Sequence, residues 1–165
     1  MTAATEPIVT VAPRLGIELV EVEEASTVVV PLTGATADLP RLIGDAFALT
    51  ARVVDEDGAE ITGPPFARYY SFEGGRVEAE AGFPYTGELQ ERLGIRRSAL
   101  PGGLMAVTTH AGPYDTLVET YAAAGRWIEE QGLRPAGAPW EVYLSEPDTD
   151  PASWQALIYQ PVDGA

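Results

Sequence analysis

Gly34-Ala35-Thr36-Ala37-Asp38-Leu39 is answered 78 residues later by Gly112-Pro113-Tyr114-Asp115-Thr116-Leu117, and that return decides the fold. Gly34 matches Gly112 and Leu39 matches Leu117 at this displacement. Further on, Phe66 matches Trp140 and Tyr69 matches Tyr143 at 74, and Pro84 matches Pro161 at 77. Five anchors in one order, with two small length changes, mark an internal duplication. The first change reads as a longer helix–strand loop in the first copy, the second as a longer hairpin loop in the second copy.

Working outward, each copy carries the same signals. Ile17 to Glu23 mostly alternates and reads as a strand, followed by the β-branched Val28-Val29-Val30-Pro31-Leu32. Thr36 is placed to cap a helix with Pro40 in its first turn, where a missing N–H costs little. Leu39, Leu42, Ile43, Ala46 and Leu49 then form one apolar stripe. After the polar Asp55-Glu56-Asp57-Gly58, Phe66–Phe72 and Arg76–Ala81 flank a Glu73-Gly74-Gly75 hairpin turn. The second copy runs Ile95–Leu100, the turn Pro101-Gly102-Gly103, and Leu104–His110. Its helix has Leu117, Tyr121, Ala124 and Ile128 on one face and ends at Gly132. Trp140–Ser145, a loop from Glu146-Pro147-Asp148, and Trp154–Gln160 close it. The expected fold is α+β: duplicated β-β-α-β-β units, related by a pseudo-twofold axis, giving a largely antiparallel eight-stranded sheet with two helices on one face. Residues 1–15 read as a flexible tail and 16–165 as one domain, with repeats at about 17–85 and 95–162. A cleft between the repeats is the expected ligand site.

Composition narrows the functions. The 165 residues suit a single core. With no cysteine and a single histidine, His110, neither thiolate chemistry nor a zinc centre is expected, and no metal or other cofactor is assigned. The net charge of −15 repels nucleic acid and attracts cations, organic ones included. All ten basic residues are arginine. No signal peptide or apolar membrane-spanning run is read, so a cytoplasmic protein without membrane contact is expected.

Thr108-Thr109-His110-Ala111-Gly112-Pro113-Tyr114, then Gly132-Leu133-Arg134-Pro135, then Pro139-Trp140-Glu141-Val142-Tyr143 resemble the GyrI-like family, which includes effector-binding domains of AraC-type and BmrR-like transcription activators. Leu100-Pro101-Gly102-Gly103 and Gly82-Phe83-Pro84 extend the resemblance over residues 17–162. It implies an SHS2-type repeat and a multidrug-type cleft for bulky, often cationic aromatic compounds, with a central acidic residue that falls here on Glu141. Family members that hydrolyse cyclopropane-bearing alkylating compounds imply a possible enzyme as well. The resemblance to activators lacks their helix-turn-helix domain, since only about 16 residues precede the first strand, and no basic patch for phosphates is seen. No direct contact with nucleic acid is expected.

Strand alternation puts Trp140, Val142 and Leu144 on one face, expected to pack under the helices, and Glu141, Tyr143 and Ser145 on the other, expected to face the cleft. A carboxylate there is partly desolvated, which raises its pKa unless a cation or hydrogen-bond donors compensate. Aromatics can add stacking and cation–π contacts of about 0.5–2 kcal/mol each. The candidate ligand-binding residues are Glu141, Tyr143, Tyr69, Tyr70, Tyr114, Trp140 and Tyr159; Tyr121 is read as core. His110 is read as structural or surface rather than a general base. Three functions remain open. The first is sequestration or sensing of amphipathic, cationic compounds. The second is hydrolysis of small electrophiles with Glu141 as catalytic acid/base and Tyr143 assisting. The third is a protein-interaction module such as a toxin antagonist. The repeat already supplies internal symmetry, so a monomer or weak dimer is expected.

Overall fold

In a computed structural model that describes residues 16–145 and 150–164, ten strands and two α-helices follow in the order β1 (Ile17–Val22), β2 (Ala25–Ala35), α1 (Leu39–Glu56), β3 (Glu60–Ile61), β4 (Phe66–Glu73), β5 (Arg76–Thr86), β6 (Arg96–Leu100), β7 (Gly103–Ala111), α2 (Leu117–Glu130), β8 (Leu133–Pro135), β9 (Trp140–Tyr143) and β10 (Gln155–Gly164). The N-terminal tail and the Glu146-Pro147-Asp148 loop of the sequence reading lie outside the described residues.

The described residues divide into two compact units, one holding residues 24–101 and the other residues 16–23, 102–145 and 150–164. In the first, the main strands run β4-β5-β2-β6, with β3 paired to the far end of β5. In the second they run β1-β7-β10-β9, with β8 paired to the far end of β10. All described pairings within a unit are antiparallel, and each unit carries one helix. The α+β class therefore stands.

The duplication reaches down to register. Phe66 pairs with Gly82 and Tyr69 with Ala79 in one unit; Trp140 pairs with Tyr159 and Tyr143 with Ala156 in the other, at displacements of 74 and 77. Ile61 opposite Tyr85 corresponds in the same way to Pro135 opposite Val162. Gly34 and Gly112 hold equivalent places, opposite Val77 and bonded to Trp154 O respectively.

Three details differ from the sequence reading. The first strand of each repeat belongs to the other repeat's unit: β1 pairs with β7, and β6 with β2. Alternation marks a strand but does not choose its partner. The four residues that separate displacements 78 and 74 lie in the helix, not in the following loop, since α1 has 18 residues and α2 has 14. An insertion of four is about one turn, so it lengthens a helix while nearly keeping its apolar face in phase. Finally, Thr36 makes no helix cap. It opens a 3-10 turn, and its hydroxyl donates to Gly75 O of the β4–β5 hairpin at 2.8 Å.

Between α1 and its sheet an apolar cluster forms, in which Val28, Val53, Val54, Tyr85, Leu89 and Ile95 are buried together, with Val30, Leu49 and Phe83 against them. Each such aliphatic side chain contributes about 1.5–3 kcal/mol. Under α2 the corresponding cluster is smaller, Ala106, Ile128 and Val162 with Leu104, Trp127 and Leu133.

Candidate functional site

Glu141 sits on β9 and is only 5% exposed. Its row across the sheet runs through Ile158 of β10 to Thr108 of β7, and the next row on that face is Tyr143, Ala156 and His110. The Tyr143 hydroxyl donates to Glu141 Oε1 at 2.6 Å, and the Tyr121 hydroxyl donates to Oε2 at 2.8 Å. Such charge-assisted bonds are about twice as strong as neutral ones and offset the cost of burying a carboxylate.

Tyr121 lies on α2, so Glu141 and Tyr143 occupy the helix-bearing face of their sheet. This corrects the expectation that Trp140, Val142 and Leu144 pack under the helix. Trp140 instead stacks on its cross-strand neighbour Tyr159 at 5.3 Å and 8° on the opposite face. Alternation sorts residues into two sets but carries no information on which set the helix covers.

Aromatic rings extend outward from the acid. Tyr114, in the 3-10 turn before α2, lies 5.5 Å from Tyr143 and 4.7 Å from Trp154, centroid to centroid. Burial, and then the charge of Glu141, push the Tyr114 phenol above its usual range, so it remains a neutral donor at physiological pH. Its hydroxyl donates to Gln155 O at 3.3 Å.

Of the residues singled out from sequence, Glu141, Tyr143 and Tyr114 come together here. Tyr159 and Trp140 form their separate buried stack, with burial raising the Tyr159 phenol. Tyr69 is buried in the other unit, stacked on Phe72 at 5.3 Å. Tyr70 is half exposed beneath the Arg68 guanidinium, its phenol raised by burial and by Glu80.

Two members of the cluster escaped sequence reading. Tyr121 looked like core because it sits in the apolar stripe of α2, and Trp154 looked like the start of a strand. A signal existed for Tyr121, whose counterpart in the other repeat is Ile43, so a hydroxyl had been placed where the duplicate has none.

His110 is buried with both ring nitrogens engaged, by Pro113 O at 2.8 Å and Thr120 Oγ1 at 2.7 Å, which suits a structural histidine. Among the described residues no group of three or more histidine and acidic side chains is arranged to hold a metal ion, and no helix is long and apolar enough to cross a membrane. A concavity of about 780 Å³ lies in the other unit, between Tyr85, Leu89, Gln90 and Arg97. Its Arg92 is already bound by Glu56 and Asp57, so it offers less recognition chemistry than Glu141 and its rings.

The GyrI-like small molecule binding domain family matches residues 15–163. The chain belongs to that family. A DNA gyrase inhibitor of Pectobacterium carotovorum subsp. carotovorum (strain PC1) is 39% identical over 84 residues, a stretch covering 47% of this GyrI-like chain and 49% of that protein. The chain thus matches about half the length of that relative. The EcmrR C-terminal domain superposes with a TM-score of 0.80 at 20% identity, over 91% of this chain and 98% of that one. SAV2435 bound to tetraphenylphosphonium gives 0.65 at 11% identity, over 91% and 95%. At those identities the two structures share the fold of this GyrI-like domain.

Proposed function

We propose that this GyrI-like domain binds bulky, amphipathic, cationic aromatic molecules against Glu141, so as to sequester or sense them. The observation that carries the reading is a buried carboxylate held by two phenols, with the rings of Tyr114 and Trp154 further out, where the duplicate repeat has Ala67, Ile43 and Val77 at the places of Glu141, Tyr121 and Trp154. Folding does not require the acid there, since the other unit does without it. A cation brought to this carboxylate gains Coulomb attraction in a medium of low dielectric, and Tyr114 and Trp154 offer π faces to its aromatic groups. The tetraphenylphosphonium bound by SAV2435 is a bulky aromatic cation of this kind. Tyr143, Tyr121, Tyr114 and Trp154 are the residues proposed to line the ligand. Tyr69, Trp140 and Tyr159 are assigned to packing, and Tyr70, half exposed beside Arg68, to the surface of the other unit. The partner is the small molecule rather than nucleic acid, which the charge of −15 repels, and the chain acts in the cytoplasm as a monomer or weak dimer.

The 2.6 Å contact between Tyr143 and Glu141 also supports a second reading, in which the pair moves a proton during hydrolysis of an electrophilic ligand. Titration calorimetry with tetraphenylphosphonium and with neutral triphenylphosphine oxide tests the first reading, which requires clear preference for the cation. Equal affinities would refute it. Mass spectrometry of electrophilic aromatics after incubation reports turnover and so separates the second reading from the first.

A further inference from the structure

We propose that His110 is the positioning residue of this site: its imidazole staples the turn bearing Tyr114 and the first turn of the helix bearing Tyr121 onto β7. The inference rests on the proposed binding role of Glu141 and its rings. A carbonyl only accepts, so the 2.8 Å contact with Pro113 O places a proton on Nε2, while Nδ1 is hydrogen-bonded to the Thr120 hydroxyl at 2.7 Å. Thr116 closes the same turn, donating to Pro113 O at 2.8 Å with its oxygen 3.3 Å from Nε2. Tyr114 stands between Pro113 and Thr116, its ring 6.4 Å from the imidazole, and Tyr121 directly follows Thr120. One buried ring therefore sets the two tyrosines that reach Glu141 and Trp154 from the turn and the helix.

The other repeat shows that the fold does not depend on this staple. Leu32 and Leu42 stand where His110 and Thr120 do, and Thr36, the counterpart of Tyr114, is tied to the β4–β5 hairpin instead. The polar staple accompanies the repeat that carries the acid.

The test is a set of four proteins, wild type, H110L/T120L, H110Q and Trp154→Phe, with thermal unfolding, tetraphenylphosphonium affinity and near-ultraviolet circular dichroism measured on each. The double variant installs the leucines of the other repeat and is expected to fold, while its affinity falls about tenfold or more, the scale of losses when a supporting shell is removed. The H110Q amide can still donate to Pro113 O and should recover affinity to within about threefold of wild type. In the unliganded protein the coupled ring signal of Tyr114 and Trp154, identified by its loss in Trp154→Phe, should vanish in the double variant and return in H110Q. A double variant that melts earlier yet keeps wild-type affinity and ring signal would overturn the proposal. If wild type itself ignores tetraphenylphosphonium, the binding reading fails, and the ring signal alone then decides whether His110 positions Tyr114.

Discussion

One repeat has Ala67, Leu32 and Val77 on its strands and Ile43 on its helix; at the equivalent places the other has Glu141, His110 and Trp154, with Tyr121 on its helix. The strand registers around the two sets coincide, so the same backbone accepts either an apolar filling or a carboxylate with its phenol donors. Glu141 is therefore not a requirement of the fold. A buried charge is kept where it is satisfied, and replacing such a network by apolar groups is commonly neutral or stabilising. The duplicate performs that replacement naturally.

The two repeats diverge most when an acid is moved without the donor that the helix supplies. Ala67 is fully buried, and Ala67→Glu places a carboxylate there with Ile43 in place of a tyrosine hydroxyl. It should destabilise the protein by about 3–5 kcal/mol in urea unfolding. A loss under 1 kcal/mol would mean that the surroundings, not Tyr121, supply the compensation.

Gly82 sharpens a second contrast, because its counterpart is Tyr159. A Cβ at Gly82 would lie 1.8 Å from Val28 O, a backbone atom that cannot swing aside. Gly82→Ala should cost about 3 kcal/mol through forced separation of β2 and β5. Wild-type stability in that variant would show that the strand approach is not tight.

Tyr121→Phe deletes one donor to the buried carboxylate and should cost about 1.5–3 kcal/mol of stability. Tyr143→Phe should do the same. If both variants keep wild-type stability, the acid is not held by these phenols.

Glu141→Gln keeps the shape and removes the charge. Affinity for tetraphenylphosphonium should fall by about 1–3 kcal/mol, affinity for a neutral aromatic much less, and stability should hold or rise slightly. Calorimetry on both ligands checks it, and equal losses would assign Glu141 to shape rather than to charge recognition.

The smallest effect concerns pH and is confined to one unit. Arg92 holds the Asp57 and Glu56 carboxyls below their usual values by hydrogen bonding to each, while the counterpart of Asp57 is Gln131. Because the folded values are depressed, the stabilisation is complete above the unfolded carboxylate value near 4 and is lost as pH falls through the folded one. The gap in urea midpoint between wild type and Arg92→Gln should therefore be constant above about pH 5 and close below about pH 4. A gap that persists at pH 2 would point to packing by the arginine stem instead.

Legible in the residues alone were the duplication, the helices, most strands, and the placing of Glu141 and Tyr143 on one sheet face. These follow from short-period patterns and from anchors repeated at fixed displacement, both of which are local or additive along the chain. Tertiary structure alone decided that the first strand of each repeat pairs in the other unit, that α2 covers the face of Glu141, and that Tyr121 and Trp154 join it. Those outcomes depend on which residues 20 to 91 positions apart come into contact, and a hydrophobic period is the same whichever partner a strand or helix finally meets.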